Sequence, residues 1–212
     1  MTPVPVPTDL LPLVAAAAPL RHTPPAVALD AILRGQVRLT VPVGVGVVAA
    51  ATLAATGVTP GAQLVVSATD LAAALTHAAA VGAPAVTVSG TDDAPELCVA
   101  TAAGEGGFPA APVPGPLVPA RLAGEVVGAA TVSRPAGSAT VRVRDLRRAV
   151  RLAARLFGAG TRVEAEFRPP ADAPLTLRGT LPGGQAVTVV VASAVGRTTS
   201  DEAAAAAPVE NR

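Results

Sequence analysis

Residues 141–167, VRVRDLRRAVRLAARLFGAGTRVEAEF, carry the pattern on which the fold turns. Up to Arg144 the chain alternates in character and reads as the end of a strand, TVRVR. Residues 145–157 then recur at helical spacing, Gly158 and Gly160 stop the helix, and TRVEAEF alternates again as a half-buried strand. On the helix, Arg144, Arg148, Arg151 and Arg155 fall on one side with Arg147 beside them. Leu146, Val150, Ala153 and Phe157 fall on the other, which makes them the expected apolar face. Between Arg142 and Arg168 eight arginines face three acids, Asp145, Glu164 and Glu166. The whole chain has a net charge of only +1, so half of its 16 basic residues sit in this one region. Such a stripe suits a row of phosphates. Taken alone, it also fits an ordinary solvated helix face, and that is the simpler reading.

Downstream, LTLRGTL and AVTVVVA continue as strands joined through Pro182, Gly183 and Gly184. Upstream, QLVVSATDLAAALTHAAAVGAPAVTVSGTDDAPELCVATAAG repeats the same order. LVVSA reads as a strand, Thr69 as the N-cap, Asp70 as an acid complementing the helix dipole, and Gly82 with Pro84 as the stop. AVTVSG and ELCVAT then form a hairpin around Asp92, Asp93 and Pro95. A short helix near 8–18 and strands in AVALDAI and QVRLTVPV precede this unit. The expectation is an α+β fold of repeated strand-helix-strand-strand units. Helices lie on one face of antiparallel sheet, and the alternating strands turn their other face to solvent.

Composition narrows the classes. At 212 residues the chain has room for one or two domains and a sizeable core. Its three aromatic residues are all Phe, so Val, Leu and Ala must fill that core. There is no lysine, and the single Cys98 excludes an intramolecular disulfide framework. The N-terminus lacks the basic start of a secretory signal. VPVGVGVVAAATLAATGV, 41–58, is interrupted by Pro42, Gly44 and Gly46 and reads as packed strands, not as a membrane span. These features place the chain in the cytoplasm. The expected division is a disordered 1–7, a domain at 8–107, a Pro-rich linker at 108–119, a partial domain at 120–195 and a disordered tail at 196–212.

No residues assemble into a catalytic constellation, and no metal or other cofactor is implied. His77 lies on an Ala-rich helix without a second ligand, and His22 lies in a loop-like RHTPP. Asp92 and Asp93 are explained by turn chemistry, and Cys98 by packing in an apolar strand. Glu164 and Glu166, two apart on a strand, share a face beside arginines. GVGVVAA, at 44–50, lacks the third glycine and the helix start of a dinucleotide loop. A chain with no nucleophile–base pair is expected not to be an enzyme.

The order of elements resembles the bacterial DNA polymerase III β sliding clamp family. TPGAQLVVSATDLAAAL, AVTVSG, ELCVAT and the phrase Phe108, Pro109, Ala110, Ala111, Pro112 are similar to that family's first domain. LRHTPPAVALDAILRGQVRLTV is similar to its early turn and strands. The stretch 141–192 is similar to the closing half of its last domain. The resemblance covers most of 8–195 and implies a DNA-clamp-like fold, a role in replication processivity, and sequence-independent association with duplex DNA. It also implies partners among copies of the chain or replication proteins. Arg144, Arg147, Arg148, Arg151 and Arg155 would be the phosphate-contacting residues. The alternative is a clamp-fold interaction module without DNA binding.

Overall fold

The computed structural model describes residues 1–19, 24–44, 46–101, 104–113, 141–158, 163–166, 174–181 and 183–192. The chain begins with a strand where disorder was expected. In β1 (Val4–Pro7) alternate Val4 and Val6 are fully buried, and β1 pairs antiparallel with a later strand along Ala85–Val88. Pro5 and Pro7 do not prevent this, because β1 is an edge strand and one side of it needs no N–H. A 3-10 turn (Thr8–Leu10) and a short helix α1 (Leu11–Val14) follow, burying Leu10, Leu13 and Val14. Three antiparallel strands come next: β2 (Ala26–Leu33), β3 (Gln36–Gly44) and β4 (Val47–Ala54). The membrane-like stretch thus becomes β3 and β4, with Val41, Val47, Ala49 and Ala51 in the core. No helix among the described residues is long and apolar enough to cross a membrane.

The second unit is β5 (Gln63–Ser67), α2 (Ala68–Ala80), β6 (Ala85–Thr91), β7 (Ala94–Thr101) and β8 (Gly104–Phe108). Ser67 caps α2, its Oγ accepting from the Asp70 N–H at 3.2 Å. The expected cap, Thr69, lies inside the first turn. The cap belongs to the last residue in extended geometry, and Ala68 is already helical. The helix stops as expected, with Gly82 at a φ of 73°. The first unit therefore has the same strand-helix-three-strand order as the second. The two exchange their first strands: β1 joins the sheet β1-β6-β7-β8, and β5 joins β2-β3-β4.

The third unit holds α3 (Val143–Phe157), β9 (Glu164–Glu166), β10 (Leu175–Thr180) and β11 (Ala186–Val191). Its helix begins earlier than expected, and Val143 and Arg144 are helical where a strand was read. Val141 makes only a single bridge. β11 pairs with β4, which extends the larger sheet to β5-β2-β3-β4-β11-β10-β9, antiparallel throughout. α3 packs on β11, β10 and β4 and touches α1, while α2 packs on α1, β6 and β7. One continuous core, from Val4 to Val191, joins both sheets and the described helices α1, α2 and α3.

The second face of the larger sheet differs from the expected solvated surface. Along one row across it run Ala28, Thr40, Ala50, Thr188, Arg178 and Glu164, paired strand to strand. Thr40 and Thr176 on this face are fully buried, and Val113 packs on Ala26, Ala28 and Val65. The chain leaving β8 lies back over the sheet at that point, which small Ala side chains permit. The expected 108–119 linker starts inside β8 at Phe108. Residues 114–140 and the tail from 193 lie outside the described residues, as does His22.

Candidate nucleic-acid interface

All five arginines of the stripe, Arg144, Arg147, Arg148, Arg151 and Arg155, are exposed on α3. The helix holds them there because its opposite face is used. Ala149, Leu152, Ala153 and Leu156 recur at i, i+3, i+4 and i+7 and are at most 6% exposed. This corrects the expected apolar face. Ala153 and Phe157 are buried as expected, but Leu146 is only partly buried and Val150 is 52% exposed. The helix is turned so that the line Asp145, Ala149, Leu152, Leu156 points inward instead. Two contacts fix that rotation. The Phe157 ring lies against Gly179 of β10, where a Cβ would approach it to 2.7 Å. At the other end the Asp145 carboxylate, 4% exposed, sits on Gly46 beside the β3–β4 turn.

Asp145 occupies the third helical position, where an acid complements the helix dipole. Its Oδ1 lies 3.3 Å from Nε of Arg144, whose side chain is 67% exposed. Arg148, one turn on, lies over Gly44: a side chain at Gly44 would collide with its guanidinium. Asp145, Gly44 and Gly46 were not singled out in the sequence as contributors to this surface. The available signal was Asp145 itself, an acid inside a basic run.

The other candidate residues do not join this surface. His77 is exposed on α2, its ring centroid 5.8 Å from that of Phe108, beside a cavity of about 400 Å³ between the end of α2 and β8. Asp92 is a turn residue, and its Oδ1 accepts from the Val65 N–H at 2.7 Å, tying the β6–β7 turn to the edge strand β5. Asp93 is exposed beside it. Glu164 on β9 lies directly opposite Arg178 of β10. Cys98, a free thiol, is partly buried in β7. Among the described residues no group of three or more His, Cys, Asp or Glu side chains could hold a metal ion.

No protein-family model matches the sequence, and no curated relative does. Solved structures do match the fold. The PCNA2–PCNA3 complex of Sulfolobus tokodaii aligns with a TM-score of 0.51 at 12% identity, over 91% of this chain and 99% of that one. The DNA polymerase III β subunit of Thermotoga maritima aligns with a TM-score of 0.51 at 10% identity, over 90% of this chain. Against that β subunit the chain spans 64% of the length. At such identities the likeness concerns the backbone: two strand-exchanged units with helices packed on antiparallel sheet, extended by a third. The chain has the fold of a sliding clamp.

Proposed function

We propose that this chain is a non-catalytic, clamp-like protein that associates with the backbone of duplex DNA without reading its sequence. The observation that carries the reading is the outward row of Arg144, Arg147, Arg151 and Arg155, with Arg148 at its border, on a helix whose other face is engaged with the sheet. Guanidinium groups on a rigid helix neutralise phosphates, and phosphate contacts position a protein without conveying base identity. The clamp fold supports the reading, and one of the similar structures is a subunit of a DNA polymerase. In this reading the chain works in the cytoplasm, in replication processivity, as an assembly of its own copies or with replication proteins.

Duplex binding measured from about 20 mM salt upward tests it. With about four or five phosphates contacted, the log–log salt slope should be about −4. Replacing Arg147 and Arg151 by Ala should flatten the slope by about 2 and weaken every sequence alike. No binding at the lowest salt, for the assembled oligomer as for the monomer, removes the DNA reading.

One observation favours a second reading, a clamp-fold interaction module. Neither α1 nor α2 carries an arginine, and α2 exposes Thr69, Ala73, Thr76 and His77. Among the described helices, one is thus equipped for phosphate. A chain that associates with protein in solution, and whose binding ignores the α3 arginines, would establish this alternative.

A further inference from the structure

We infer that Asp145 and Arg148 form a clasp that seats α3 on the two glycines of the β3–β4 turn, and that this clasp sets the direction in which the arginine surface faces. The inference rests on the DNA reading for its consequence, but not for the clasp itself.

Four observations converge. Asp145 is 4% exposed, although it stands in the most basic stretch of the described chain, among exposed arginines. A Cβ on Gly46 would meet the Asp145 carboxylate carbon at 2.8 Å, so the carboxylate occupies the space a side chain would fill. Gly46 is itself held, since its carbonyl accepts from the Ala192 N–H at 2.9 Å, just beyond β11. One helical turn along, the Arg148 guanidinium covers Gly44, which has a φ of 154°, and a side chain there would have to displace it. The glycines are needed for close approach of a side chain to backbone, and at Gly44 also for backbone conformation.

The geometry explains the rotation of the helix. The stripe that turns inward carries Ala149, Leu152, Ala153 and Leu156, with the Phe157 ring buried beside it. Lodging Asp145 on Gly46 draws the neighbouring line inward and leaves Val150 52% exposed. The same rotation carries Arg144, Arg147, Arg151 and Arg155 to the outer side. Arg148, at the border of the stripe, is turned toward the hairpin. Asp145 and Arg148 are therefore positioning residues: they act on phosphate contact through the orientation of the helix.

A double-mutant cycle on the full chain tests this, with Gly46→Ala, Asp145→Ala and both together. Two readouts are taken: hydrogen exchange of the amides in the first turns of α3, and the salt dependence of duplex binding. Gly46→Ala should speed that exchange by about tenfold and weaken duplex binding, and should do neither in the Asp145→Ala background. Equal effects of Gly46→Ala in both backgrounds overturn the clasp. Arg148→Ala should flatten the salt slope by clearly less than the ~0.9 of a direct phosphate ligand, while Arg151→Ala should reach it. A full loss of ~0.9 at Arg148, with exchange unchanged, makes it a phosphate ligand and overturns its positioning role. If the exchange cycle is coupled but wild-type protein binds no DNA, the clasp stands and the DNA reading falls.

Discussion

The helices α2 and α3 open two units of the same element order, yet they meet solvent with opposite chemistry. Both bury four residues spaced i, i+3, i+4, i+7: Leu71, Ala74, Leu75, Ala78 in one and Ala149, Leu152, Ala153, Leu156 in the other. Both carry an acid at the third helical position, Asp70 and Asp145. From Gln63 to Phe108, however, the only charged residues are the acids Asp70, Asp92, Asp93, Glu96 and Glu105, whereas α3 exposes five arginines. Packing against sheet constrains only the inward positions of a helix, so the outward ones are left for function. The difference is one of surface, laid on one architecture.

The largest effects should fall on what the helices share. Leu75→Ala and Leu152→Ala each leave a cavity in one continuous core and should lower stability by about 2–5 kcal/mol, read from thermal or urea unfolding. A single cooperative transition is expected in both variants. Two separate transitions in Leu152→Ala would show that the third unit folds on its own account and would break the comparison.

Next comes the seat of α3. Gly179→Val drives a side chain into the Phe157 ring and should cost about 1–3 kcal/mol of overpacking strain. Unfolding midpoints of Gly179→Val and of Gly179→Val with Phe157→Ala check this, since the second change should relieve part of the first.

The caps distinguish the helices again. Ser67→Ala removes the hydrogen bond at the start of α2 and should cost about 1 kcal/mol. Arg142, at the same place before α3, makes no side-chain cap. Arg142→Ser should therefore stabilise by up to about 1 kcal/mol in the same unfolding assay.

The smallest effect on stability, and the sharpest on function, concerns charge. Thr76 is exposed on α2, so Thr76→Arg should change stability by no more than about 0.5 kcal/mol. If α2 faces the same duplex as α3, the substitution should steepen the salt slope of binding by about 0.9. An unchanged slope would confine phosphate contact to the third unit.

Much of this was legible in the sequence, because the patterns concerned are local. The strand-helix-strand order, the hairpin at Asp92 and Asp93, and the helix stops at Gly82 and Gly158 follow from periodicity and backbone freedom, and the structure has them. The exposure of the five arginines was legible for the same reason. What failed was decided at a distance. VPVP reads as an unfolded start because prolines do not propagate a ladder, yet β6 supplies the partner that makes it a strand. TVRVR alternates convincingly, but among its described residues only Val141 keeps a bridge, and the helix takes Val143 and Arg144.

The sequence by itself determined that this chain builds helices with one apolar face, alternating strands between turn signals, and a concentration of arginine on one helix. Those are properties of neighbours along the chain, fixed by spacing and by Gly and Pro geometry. The tertiary structure alone decided that β1 and β5 exchange sheets, that β11 closes against β4, and which of two overlapping apolar stripes on α3 turns inward. On the inward side Asp145 finds room over Gly46, about a hundred residues away in sequence, and a helical period carries no record of the surface it will meet.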